Sequence, residues 1–401
     1  MIEIDLTCLD EITKPLLKTL LASTKDPLFG QGIYYISLYS DLLPAGENKI
    51  VIPVLLKNAF LVTPSKNHPG EYNLEIFSNQ IGAGAFAKVY ESEGKVKVHQ
   101  DFKFVKRAAD KERVIKAVHY DESERNKVAK EAQRANLGDA LKCKPALFSS
   151  NHWAFLVMKK AKGITLERLI NQMRIREINP TLRELITVTR AILLQIDTVQ
   201  QKRYAHRDIK PANVMVDLPN GCATLVDFAF AKELKKPKIT CHHNRGTRLF
   251  AAPEVYEDGE LTAQCDDFAA GLSLAELWGD TYLDFIANTG NEKLLYKRNR
   301  EETFTNLYAQ MNVPETIKAI LDTIIYGLTR YDPEKRLSCR DCIALCDQLL
   351  KEPNLDTLIY TPPTPEEREQ QFDEISSENP DDYSSQSPQS SGSWEASAYC
   401  V

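Results

Sequence analysis

A two-lobed α+β fold, with a small β-rich lobe ahead of a larger helical lobe, is what this sequence predicts. Three observations carry that reading. Short strand-like runs crowd residues 72–158, near 76–81, 88–91, 103–106 and 155–158. After Gly163 the apolar period lengthens, and Leu185, Val188, Ile192, Ile196 and Val199 form one long helical stripe. The chain also has 401 residues, more than one hydrophobic core usually holds.

The elements come in order along the chain. Residues 1–75 read as a small α+β extension. They carry an amphipathic helix pattern (Leu16, Leu17, Leu20, Leu21) and apolar runs at 33–39 and 50–56. They bear no chemical signature, so they are expected to cap the first lobe. In that lobe (76–158) one helical segment interrupts the strands, with Val128, Ala132 and Ala135 on one face. The second lobe (163–350) adds helix patterns at 267–277 and 317–328. Residues 351–401 turn to Pro, Ser, Glu and Gln without periodicity, and a disordered tail is expected. Ligands are expected in the cleft between lobes.

Composition narrows the function. Hydrophobic residues are 43% and charged residues 26%, ordinary for a globular protein. The net charge of −6 argues against a broad basic surface that coats nucleic acid. Residues 361–401 hold nine acids and one base, so they carry −8 and the preceding 360 residues sum to +2. Nine scattered cysteines in a long chain disfavour a disulfide framework. Glu3 and Asp5 stand where a signal peptide needs basic residues, and Lys57 and Arg190 break the apolar stretches. No transmembrane segment is expected, and a soluble cytoplasmic protein is.

The chemistry-bearing stretch is His206-Arg207-Asp208-Ile209-Lys210-Pro211-Ala212-Asn213, directly after the long helical stripe. Two apolar runs come next, 214–216 and 224–226, around a Pro219-Asn220-Gly221 turn, and then Asp227-Phe228-Ala229. An Asn-Gly turn between such runs predicts a hairpin. Asn213 and Asp227 then flank its open end, an amide oxygen beside a carboxylate that suits Mg²⁺.

These residues resemble the eukaryotic-type Ser/Thr protein kinase family. The resemblance implies that Asp208 accepts the proton of the attacking hydroxyl and that Lys210 neutralises the γ-phosphate. It implies that Asn213 and Asp227 hold Mg²⁺ or Mn²⁺. Phosphoryl transfer needs mostly positioning and charge neutralisation, which these side chains supply. Lys210, two residues after Asp208, resembles the Ser/Thr branch. Upstream, 81–90 resembles the glycine-rich loop over ATP, with Ile81, Gly82, Gly84 and Val89 as nucleotide contacts and Ala87 in place of its third glycine. Phe104-Val105-Lys106 resembles the strand that delivers a lysine to the phosphates, with Glu131 as its ion-pair partner. On that register 108–124 is a longer connection than the family needs. Val157-Met158 followed by Lys159-Lys160 resembles the hinge, which makes Met158 and Lys160 adenine contacts. Downstream, 246–254 resembles the end of the activation segment: Thr247 would contact the catalytic loop, Glu254 would pair with Arg336, and Asp266 would brace the loop. That ending favours protein substrates over small molecules. The rival reading, a pseudokinase scaffold that binds nucleotide and recruits partners, is opposed by the completeness of the set.

Weaker signals remain. Ala229 stands where the family has glycine, which is expected to restrict any flip of Asp227. Thr240 and Thr247 are the only hydroxyl residues between Asp227 and Glu254. Cys241-His242-His243 and the set Cys339, Cys342, Cys346 lack zinc spacings and read as structural or incidental. The Glu-rich, Ser-rich tail resembles C-terminal export signals of bacterial type IV effectors, which would imply secretion into a host cell. Lysines at 159–162 and 232–238 make an acidic protein or a polyanionic regulator the partner class to try first.

Overall fold

The computed structural model describes residues 2–23, 25–39, 49–65, 71–84, 87–98, 103–106, 112–240, 246–257, 259–280, 286, 296 and 313–363. Ala85 and Phe86 of the glycine-rich stretch, the Cys241-His242-His243 set and the acidic tail from residue 364 lie outside them. Two compact units divide the chain. One spans Met1–Gln133 and Lys142–Lys160; the other holds Arg134–Leu141 and the chain from Ala161 onward.

The first unit is built on strands. It begins with β1 (Ile2–Ile4), helix α1 (Thr13–Ala22), β2 (Leu28–Phe29), β3 (Gly32–Tyr39), β4 (Lys49–Leu56) and β5 (Phe60–Pro64). It continues with β6 (Tyr72–Ala83), β7 (Ala87–Val98), β8 (Lys103–Lys106), β9 (Arg113–His119), helix α2 (Arg125–Arg134), β10 (Leu147–Phe148) and β11 (Trp153–Lys159). One sheet runs β10-β11-β9-β7-β6-β5-β2, with β8 paired to β7; a smaller one runs β1-β4-β3. The extension is therefore continuous with the lobe, because β5 pairs β6 from Phe60↔Ile76 to Pro64↔Tyr72. Leu16, Leu17, Leu20 and Leu21 of α1 are all buried, as their spacing predicts. They share a core with Phe29, Phe60, Leu74, Ile76, Val96 and Val98. Each fully buried leucine contributes about 1.5–3 kcal/mol.

The second unit is mainly helical. Its elements are β12 (Ile164–Thr165), α3 (Leu166–Arg174), α4 (Leu182–Gln201), β13 (Tyr204–Ala205), β14 (Val214–Asp217), β15 (Cys222–Leu225), β16 (Lys232–Glu233) and β17 (Ile239–Thr240). After these come α5 (Pro253–Tyr256), β18 (Glu260–Leu261), α6 (Gln264–Leu277), α7 (Glu315–Leu328) and α8 (Cys339–Leu349). Reciprocal capping boxes start two helices, Thr181 with Glu184 on α4 and Ser338 with Asp341 on α8. All five residues of the long stripe are buried on α4. Cys339, Cys342 and Cys346 line the buried face of α8, where burial pushes their thiols up and leaves them protonated packing groups. Among the described residues no helix is long and apolar enough to cross a membrane.

The tail expectation needs correction at its start. Residues 355–363 pack against the second unit. Leu355 and Tyr360 are buried, Tyr360 meets Trp278 edge-on at 5.3 Å, and Leu182 N–H donates to the Leu358 carbonyl at 2.8 Å. Two apolar anchors spread over a few residues bury real area yet make no periodic pattern.

Candidate active site

The first unit places several of the expected nucleotide-binding residues. Gly82 pairs with Val89 and Ala83 with Lys88 across the β6–β7 hairpin, and Gly84 N–H donates to the Ala87 carbonyl at 2.8 Å. Ala87 serves there as an ordinary strand residue. Val89 in turn lies opposite Lys116 of β9. Lys116 Nζ reaches Glu131 Oε1 of α2 at 2.8 Å, with both side chains largely buried.

That ion pair corrects the assignment of Lys106. The first half of β7 pairs with β9, from Ala87↔Val118 to Glu91↔Val114; its second half pairs with β8, from Gly94↔Lys106 to Lys97↔Lys103. The strand 103–106 is therefore the return arm of an added hairpin. Its insertion moves the lysine-bearing strand ten residues along the chain, and it accounts for the seemingly long connection. Val114-Ile115-Lys116 was the missed signal: a buried apolar pair followed by lysine, in a strand that leads into the helix of Glu131.

Met158, almost fully buried, pairs with Val114 at the end of β11. Lys160 differs from expectation. Its backbone N–H already donates to the Glu112 carbonyl at 3.0 Å, and its ammonium pairs with Glu91 at 2.6 Å. The hydrogen bond to the Glu91 carboxylate, then its charge and that of the Glu112 carboxylate at 3.5 Å, raise the Lys160 pKa. Lys160 is thus a tie within the sheet, and its N–H is spent.

The second unit gathers the expected catalytic and metal-holding residues. The hairpin forms as the Asn-Gly turn predicts: Val214 pairs with Leu225 and Asp217 with Cys222, and Gly221 is left-handed at φ +59°. Val226 N–H donates to the Asn213 carbonyl at 3.0 Å, so Asn213 and Asp227 bracket the open end. Asn213 is buried and spends both amide hydrogens on Asp208, at 2.8 Å to the carbonyl and 2.7 Å to Oδ2. Its Oδ1 is left as the group's remaining acceptor. Asp227 adopts φ +61° and Arg207 φ +70°, backbone conformations that concentrate at functional sites. Ala229 has no positive φ, so the missing glycine costs nothing in this conformation. Phe228 is buried, with the His206 ring edge-on at 4.7 Å.

Asp208 is the hub. Its Oδ1 accepts the Thr247 N–H at 2.8 Å and the Thr247 hydroxyl at 2.9 Å. Lys210 Nζ donates to Thr247 Oγ1 at 2.7 Å and stands 3.4 Å from Asp208 Oδ2. A side chain at 246 would prevent this clasp. Gly246 has φ +98°, and a Cβ there would lie 2.2 Å from the Arg207 carbonyl oxygen.

Two buried groups hold the loop from behind. Asp266 accepts backbone N–H groups from His206 at 2.5 Å and Arg207 at 2.9 Å. Burial pushes its carboxyl up to about 7, opposed by those two donors. His206 is fully enclosed and burial lowers its pKa. Its Nε2 faces the Val226 carbonyl at 3.1 Å while Nδ1 has no partner, so the neutral ring donating through Nε2 fits. Farther along, Glu254 and Arg336 form the expected buried pair, with two contacts at 2.8 and 3.0 Å.

Comparison with known proteins agrees with this geometry. A family profile described as protein kinase domain matches residues 76–348. The serine/threonine-protein kinase nekl-2 of Caenorhabditis elegans is 34% identical over 128 residues, covering 30% of this chain and 35% of that protein. Human rhodopsin kinase GRK1 is 29% identical over 167 residues, 41% of this chain and 28% of that one. The probable serine/threonine-protein kinase PknB of Lactococcus lactis is 32% identical over 126 residues, 31% of this chain and 19% of that one. The chain thus spans about a third or less of the length of each of these relatives. With two-thirds of its residues inside the match and the clasp built on Asp208, this chain belongs to the protein kinase domain family.

Proposed function

We propose that this chain is a Ser/Thr protein kinase that transfers the γ-phosphate of ATP to hydroxyls in acidic protein segments. The observation that carries the reading is the Asp208–Lys210–Thr247 clasp. It offers a buried carboxylate as proton acceptor with a cation 3.4 Å away to meet phosphate charge. The acceptor oxygen attacks Pγ, its proton goes to Asp208, the bond from Pγ to the β–γ bridging oxygen breaks, and ADP leaves. In this reading Lys116, fixed by Glu131, meets the α- and β-phosphates, the role first expected of Lys106. Gly82, Gly84, Ile81 and Val89 cover the nucleotide, and Met158 backs the adenine.

Members of this family use ATP with a divalent cation. The donor set here fits one, since Asn213 turns both amide hydrogens onto Asp208 and keeps Oδ1, with the Asp227 carboxylate across the hairpin end. Oxygen ligands of this kind suit Mg²⁺ or Mn²⁺. When bound, the cation neutralises phosphate charge; Asn213 and Asp227 would hold it.

The acidic preference rests on Lys232, Lys235, Lys236 and Lys238, all exposed. Lys238 pairs with Glu260, and the other three have no ion-pair partner among the described residues. Lys232 lies opposite Ala205, three residues before Asp208. The same lysines make a polyanion the regulator class to test.

Two results are expected. With radiolabelled ATP, a Ser peptide flanked by Asp and Glu has a higher kcat/KM than the same peptide flanked by Ala. The Lys235→Glu/Lys236→Glu pair removes that difference, on the order of three- to tenfold, and salt weakens it. Equal rates on both peptides in wild type would reject the acidic preference; no labelling of either would reject the kinase itself. In the same assay, Lys116→Met lowers kcat/KM by about 10²–10³-fold, while Lys106→Met stays within roughly twofold. The reverse ranking would restore Lys106 to the phosphate role.

A further inference from the structure

The first unit contains a cavity of about 410 Å³ that the catalytic reading leaves unused. It lies on the side of the sheet opposite Lys116. Strand neighbours point to opposite faces: Lys88 and Tyr90 of β7 and Ala117 of β9 line the cavity, whereas Val89 and Lys116 do not. The extension supplies the far wall with Leu28, Gly30, Gln31 and Ala59.

The lining is chemically specific. Phe77, Tyr90, Trp153 and Phe155 give it aromatic surface. Phe77 sits edge-on to Tyr90 at 5.3 Å and to Phe155 at 6.1 Å, so the rings are locked against one another. Among the described lining residues, Lys88 is the one cation. Lys88 is exposed and has no carboxylate partner among the described residues; Gln31, whose Nε2 donates to the Lys57 carbonyl and keeps one N–H, also lines the cavity. Sites for small molecules are typically roughly 300–1,000 Å³, mostly apolar, with a few polar groups that fix orientation. This cavity has that size and that balance.

We propose that it is a second ligand site, separate from the nucleotide site, that binds a small aromatic anion. The ring system would lie on Phe77, Tyr90, Phe155 and Trp153, with its anionic group on Lys88 and Gln31. A cation at the rim of a mostly apolar cavity selects against neutral and cationic ligands of the same shape.

The probe is 1-anilinonaphthalene-8-sulfonate, titrated by fluorescence into the full chain with stoichiometry from equilibrium dialysis. Expected is one saturable site that saturating Mg²⁺-ATP does not displace. Lys88→Glu should weaken binding about tenfold and Lys88→Arg should retain it. Ala117→Leu fills the cavity from its floor and should weaken binding at least tenfold. Ala59→Trp fills it from the half-exposed wall, so a folding defect in the first variant does not decide the matter. Displacement by ATP, binding that never saturates, or affinity unchanged within about twofold in Lys88→Glu and Ala59→Trp would each overturn the proposal.

Discussion

Asp208→Asn should lower kcat by about 10³-fold, within the 10²–10⁴-fold range of a positioned general base, with KM for ATP nearly unchanged. The substitution keeps the shape of the hub while removing its charge and its proton-accepting oxygen. Thr247 donates two hydrogen bonds to Oδ1, and Asn213 donates one to Oδ2. An asparagine can satisfy part of that set, so the fold should persist and the loss should fall on the chemical step. The measurement is single-turnover transfer from γ-labelled ATP beside a thermal melt. A kcat within tenfold of wild type would remove Asp208 from the proton-accepting role. A collapse of the melt would say that it is chiefly structural.

Arg336→Ala should destabilise the second unit by about 3–5 kcal/mol, because it leaves Glu254 as a buried carboxylate without its partner. The guanidinium does more than pair. It also donates to the carbonyls of Gln264 at 2.7 Å, Arg330 at 3.0 Å and Tyr331 at 3.3 Å, and it lies 5.0 Å from the Phe268 ring centre. Removing it orphans three backbone acceptors as well as one charge. At about 2–4 °C per kcal/mol for a unit of this size, the melting transition should fall by roughly 10 °C. Arg336→Met/Glu254→Leu should recover much of the loss, since a buried pair replaced by apolar groups of similar volume is often neutral. A fall under about 3 °C in the single variant would show that the pair is more solvated than its geometry implies.

How much was legible in the sequence depends on how local each constraint is. The loop 206–213 and the hairpin behind it are set by residues a few positions apart. The grouping of Asp208, Lys210 and Asn213 next to the hairpin end that carries Asp227 was therefore readable, as was the partnership of Glu254 with Arg336 through its motif. Lys106 was a different problem. Which lysine meets Glu131 depends on which strand pairs with the first half of β7, and pairing register is not written in neighbours. Lys103, Lys106 and Arg107 offered basic residues in a strand-like run, while the hairpin that displaced them became visible only as Gly94↔Lys106. Lys160 illustrates the same limit, since its N–H is consumed by Glu112, a residue 48 positions away.

The shared sheet also changes where this protein can be cut. The family match starts at residue 76, inside β6, and the core there draws Leu74, Ile76, Val96 and Val98 together with Ile4, Leu17 and Phe60. A chain begun at 76 would lose β5 from the edge of β6 and strip apolar side chains of their cover. Open edges and bare apolar patches invite self-association. Expression of residues 76–348 alone should therefore give aggregates, and a soluble form should retain the elements from β1 onward.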